Sequence, residues 1–88
     1  MKLNPDLIYR NVTGENILIP VGETANKYNG IFVMTEVGGR ICELLTQGKD
    51  SAQLVPILLE EYDVDEVTLK ADVDEFLQGL KEAGLLTD

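Results

Sequence analysis

VDEVTLKADVDEFLQGLKEAGLL, Val64 to Leu86, is the longest and best delimited helix signal in the chain. Asp65 suits the N-cap, where a carboxylate accepts the free N–H groups of the first turn. Glu66 adds negative charge at the positive end of the helix dipole. Leu69, Val73, Phe76 and Leu80 recur at spacings of four, three and four, which aligns them in one apolar stripe. Leu77 widens the stripe on one side. Gly84 suits the left-handed residue that ends a helix, with Leu85 folding back on the last turn. Such a stripe needs a surface to pack on, and the residues upstream provide it.

Moving toward the N-terminus, Ala52 to Tyr62 forms a second helical segment with Ser51 as its cap and Leu54, Ile57 and Leu58 facing inward. Pro56 lies beyond the first turn, so this helix either starts late or bends there. Before it, Thr35 caps a helix to about Gln47, with Val37, Ile41, Leu44 and Leu45 as the buried stripe. Gly38-Gly39 costs that helix on the order of 1 kcal/mol per glycine relative to alanine. Close approach of a neighbouring backbone would justify the cost. Gly48 ends the helix.

The first third is rich in β-formers. Leu7 to Val12 and Glu15 to Val21 form a hairpin around Thr13-Gly14. Gly22 to Tyr28 is a polar loop, Met1 to Asp6 a short arm, and Asn29 to Met34 a third strand. Ile31 to Met34 are four consecutive apolar residues, whereas a strand covered on one face should alternate. Either both faces are partly covered by the protein itself, or one face or edge awaits a partner. The order β-β-β-α-α-α predicts an α+β domain with a three-stranded antiparallel sheet followed by three helices, a single domain over residues 1–88.

Composition excludes several functions. The 88 residues carry 16 acids and 7 bases, a net charge of −9. That balance disfavours nucleic acid and anionic membrane surfaces, both bound through basic residues. Histidine is absent, which removes the commonest general base and metal ligand. The single cysteine, Cys42, allows no internal disulfide and no cysteine-rich zinc site. The acidic clusters read as solvated faces, and no catalytic residues, metal or cofactor are expected. No apolar run approaches the roughly 20 residues of a membrane span, and no signal peptide is seen, so a cytoplasmic location is expected.

Two signals compete with a protein-binding role. The last two helices resemble a helix-turn-helix with the strands as a wing, but residues 65–83 hold two bases and six acids, and two minus six leaves −4 against phosphate. Asp50-Ser51 at a helix start is similar to the attachment site of an acyl carrier protein, yet carriers are all-helical and the first third here is not.

The run NGIFVMTEVGGRICELL (Asn29 to Leu45), the segment LLEEYDV (Leu58 to Val64) and the end EFLQGLKEAGLL (Glu75 to Leu86) resemble the PqqD family. The resemblance spans roughly Leu7 to Leu86. It is strongest at Met34 to Gly38, at Glu61-Tyr62-Asp63-Val64 and at Gly84-Leu85-Leu86. Met34-Thr35 stands where the family often has Leu-Asn. The resemblance implies a winged-helix-like fold and a role without catalysis. Such domains bind the leader segment of a ribosomally synthesised precursor peptide, as an added strand beside the third strand and against the last helix. They present it to a modifying enzyme, often a radical SAM enzyme. The expected site is therefore the strand Asn29, Gly30, Ile31, Phe32, Val33 and Met34, with Lys70, Val73, Asp74 and Leu77 as the helix wall. Val73 and Leu77 read equally well as plain core. The alternative is a non-catalytic domain of the same fold that binds another protein segment.

Overall fold

The computed structural model describes residues 2–28 and 30–87. Its order is β1 (Lys2–Leu3), β2 (Leu7–Val12), β3 (Glu15–Pro20), α1 (Gly22–Lys27), β4 (Phe32–Met34), α2 (Glu36–Thr46), α3 (Ser51–Glu61), α4 (Glu66–Glu82) and β5 (Leu86–Thr87). The α+β reading holds, and the central β-β-β-α-α-α order is kept by β2, β3, β4, α2, α3 and α4. Three short elements are additional.

The sheet has the order β2-β3-β4, antiparallel throughout. Thr13 (φ 53°) and Gly14 (φ 87°) both lie in the left-handed region, the geometry of a two-residue turn whose twist matches its strands. The register places Tyr9, Leu18 and Phe32 in one row and Asn11, Asn16 and Met34 in the next. These rows face the helices: Leu18 is wholly buried, and Tyr9, Phe32 and Met34 pack on the core.

Each long helix begins at a side-chain cap. Thr35 Oγ1 accepts from Gly38 N at 3.1 Å, and Asp65 Oδ2 accepts from Thr68 N at 3.0 Å, both as the sequence predicts. α3 differs. Its cap is Asp50, not Ser51, and Gln53 completes a capping box by accepting from Asp50 N. The helix also does not start late, since it runs from Ser51 through Pro56 to Glu61. α4 ends as expected: Gly84 has φ 74°, and Leu85 N donates back to Leu80 O at 2.8 Å. Leu69, Val73, Leu77 and Leu80 form its buried stripe, while Phe76 is half-buried on the flank.

The expected loop at Gly22 to Tyr28 contains α1. Its sequence, GETANK, has no apolar stripe, so periodicity gives no signal. It is held instead by the buried Thr24, whose Oγ1 donates to Asp6 Oδ2 at 3.1 Å. The expected arm is likewise ordered from afar: β1 pairs with β5 at the other end of the chain, and Leu3 is buried. The third strand is shorter than expected, Phe32–Met34, and Asn29 lies outside the described residues.

Candidate functional site

β4 leaves one edge open. It pairs with β3, and among the described residues no strand pairs with its other side. That edge is short, but it lacks the charges and prolines that often protect an edge strand, since Gly30 to Met34 carry neither. Phe32 and Met34 point inward and are half-buried, whereas Ile31 and Val33 are 53% and 65% exposed.

Thr35 leads directly from this strand into α2, and there a hollow of about 370 Å³ opens between α2 and α4. Its floor is Val37, Ile41 and Leu69, and its α4 wall is Thr68, Asp72 and Phe76. The Gly38-Gly39 pair explains how the wall comes so near. A Cβ on Gly38 would stand 2.9 Å from Phe76 Cε1, and one on Gly39 would overlap the side chain of Asn16. Asn16 cannot easily give way. It is buried, and its Oδ1 accepts from Tyr9 Oη at 2.5 Å and from Asn11 Nδ2 at 3.1 Å. The two glycines thus set α2 against the sheet on one side and admit the Phe76 ring on the other.

Tyr28 anchors the far end of α4. Its hydroxyl donates to the Ala83 carbonyl, and its ring meets Phe32 edge-on, with centroids 5.3 Å apart. The C-caps of α1 and α4 are thereby tied together.

Of the residues expected at the site, Ile31, Phe32, Val33 and Met34 lie along or next to the open edge, and Gly30 is an exposed turn residue with φ 95°. Asn29 is outside the described residues. Val73 and Leu77 are core, 2% and 9% exposed. Lys70 and Asp74 are exposed and line a separate hollow with Glu66, Val67 and Ala71. No residue of β4 lines that hollow. Residues 70 and 74 each lie two positions beyond 68 and 72, which rotates them by about 200° around a helix of 3.6 residues per turn. The wall of α4 next to α2 and the end of β4 is Thr68, Asp72 and Phe76, none of them expected at the site from the sequence, which placed Phe76 in the core stripe. Only Gly38-Gly39 pointed there, through its unexplained cost within a helix.

A second, polar hollow at the hairpin end of the sheet contains Tyr9, Asn16, Arg40, Glu43 and Tyr62. Arg40 is already satisfied: it donates to both carboxylate oxygens of Glu61, at 2.6 and 2.7 Å, and to Glu43 at 2.5 Å. These carboxylates raise the Arg40 pKa, and the guanidinium holds Glu61 below its ordinary value. The trio fastens α2 to α3, so Glu43 and Glu61 are not simply solvated. Cys42 is wholly buried, and desolvation pushes its thiol up to about 12. A thiol this hard to ionise is a poor nucleophile. Among the described residues no group of His, Cys, Asp or Glu side chains is placed to hold a metal, and no helix is long and apolar enough to cross a membrane.

Two solved structures share this architecture. TbiB1 in complex with the TbiA(beta) leader peptide is 27% identical, with a TM-score of 0.80, and the match covers 100% of both chains. A lasso peptide synthetase B1 complexed with the leader peptide is 18% identical, with a TM-score of 0.76, over 99% of this chain and 96% of that one, a likeness of fold alone. A comparison with curated proteins gave no match. A family model described as coenzyme PQQ synthesis protein D (PqqD) matches residues 15–86, and the chain belongs to the PqqD family.

Proposed function

We propose that this chain acts as one domain that binds the leader segment of a ribosomally made precursor peptide and presents it to a modifying enzyme, with radical SAM enzymes among the candidates and the cytoplasm as the place. The open edge of β4, beside an apolar hollow walled by α4, is the observation that carries the reading. An incoming strand pairs its backbone with β4, which supplies affinity without regard to sequence. Side-chain pockets supply specificity, and here the hollow over Val37, Ile41, Leu69 and Phe76 takes one apolar leader residue, with Asp72 at its rim. The likeness to TbiB1, which was solved with a leader peptide, supports the same reading.

The chain itself performs no chemical step in this proposal. Histidine is absent, and the one thiol is buried and resists ionisation. Gly30 to Met34 with Thr68, Asp72 and Phe76 make the proposed contact surface. Lys70 and Asp74 remain available to a longer leader that wraps past α4.

Fluorescence anisotropy with a labelled leader peptide tests binding, and saturable binding that Phe76→Ala weakens is expected. No saturation at millimolar protein would refute the proposal. Mass spectrometry of the full precursor incubated with this chain alone should show an unchanged mass, and a shift would overturn the non-catalytic part.

A further inference from the structure

The sheet's outer face, turned away from the helices, is apolar where solvent would favour alternation with polar residues. The register gives its rows. Ile8 pairs with Ile19, Arg10 with Ile17, and Ile17 with Val33, while Val12 pairs with Glu15 at the hairpin end. Ile17 is 8% exposed yet belongs to no part of the main core. Val12 and Val33 are 53% and 65% exposed. The face carries only two charges, Arg10 and Glu15. Neither forms an ion pair among the described residues, and Arg10 Nη1 donates only to the neighbouring Tyr9 carbonyl, at 3.0 Å.

The placement of these two charges selects an occupant. Arg10 and Glu15 sit at opposite corners of one four-residue cell of the hairpin, and Val12 and Ile17 occupy the other two corners. A two-fold axis lying in the face and passing midway between Arg10 and Glu15 exchanges their positions. It runs close to the Val12–Ile17 diagonal and on toward Val33. A second copy related by this axis sets each Arg10 against the other copy's Glu15, and lays the apolar diagonal on itself. The strands then cross steeply, as in orthogonal sheet packing, and the contact is isologous, as in most homodimers.

We propose that this face is a self-association surface, forming a two-fold dimer through the exposed Val12 and Val33, over the already buried Ile17, with reciprocal Arg10–Glu15 ion pairs. Val33 belongs to both surfaces, through its side chain here and its backbone at the open edge of β4, while the α2–α4 hollow stays outside the dimer contact; the inference does not depend on the leader reading. Strand spacings give the face a footprint of only about 300 Å². That is small beside a standard interface, and the net charge of −9 opposes pairing, so the dimer is weak.

Sedimentation velocity of the whole chain from about 10 μM to 1 mM tests it. The expected result is a monomer that becomes a dimer across this range. Arg10→Glu, which sets like charges together, should weaken association at least about tenfold. Adding Glu15→Arg to that variant should restore it, and circular dichroism should report the same fold for all three proteins. A wild-type chain that stays monomeric to 1 mM overturns the proposal. So does a dimer indifferent to Arg10→Glu, or one that the double exchange fails to rescue.

Discussion

Gly39 and Glu61 each decide something a whole element depends on. Alanine at an exposed helical glycine ordinarily stabilises by roughly 0.5–1 kcal/mol. At Gly39 the sign reverses, because the new Cβ would overlap the Asn16 side chain, and Asn16 is fixed by Tyr9 and Asn11. Overpacking of this kind costs about 1–3 kcal/mol, so Gly39→Ala should lower the midpoint of a urea melt, and an unchanged or higher midpoint would mean that α2 does not press on the sheet. Glu61 gives a pH dependence. Its folded pKa is below the ordinary 4.5 because Arg40 donates to it. Its contribution is therefore complete above 4.5 and is lost as pH falls through the lower folded value. Glu61→Gln should flatten that part of the acid limb in denaturant melts between neutral and acidic pH. An acid limb identical to wild type would mean that the ion pair does not form in solution.

At the scale of elements, α4 was legible in its caps and stripe but not in its orientation. Asp65, Leu69, Val73, Leu80 and Gly84 behave as local rules require, because capping and periodicity are properties of neighbouring residues. Which flank of α4 faces the strand is a tertiary matter. Periodicity allows the row of Lys70 and Asp74 as readily as the row of Thr68, Asp72 and Phe76, and it is the second that lines the hollow against α2. The same limit explains α1 and β1, which rest on Thr24 with Asp6 and on pairing with Leu86–Thr87. Two tests follow at this scale. Leu77→Ala should destabilise by about 2–5 kcal/mol, and Phe76→Ala by less, because only the first is buried. Denaturant melts in the reverse order would return Phe76 to the core. For β4, successive N–H groups point alternately toward β3 and away. Proline at whichever of Phe32 and Val33 points outward should abolish leader binding with the circular dichroism spectrum retained. Unimpaired binding there would show that the strand does not pair with the leader.

For the whole molecule, the fold separates three surfaces: an open strand edge with an apolar hollow, a helix flank carrying Lys70 and Asp74, and an outer sheet face. The net charge of −9 acts on all of them. It should speed association with a leader that is basic beside Asp72, and that advantage should shrink as salt screens it. The central claim is that the leader lies along β4 and against the Thr68–Asp72–Phe76 wall. The most direct test is an NMR titration of the isotopically labelled chain with its leader peptide. The largest shifts should fall on Ile31 to Thr35, Gly38, Thr68, Asp72 and Phe76. Largest shifts along Leu7 to Val12, the opposite edge of the sheet, would contradict it.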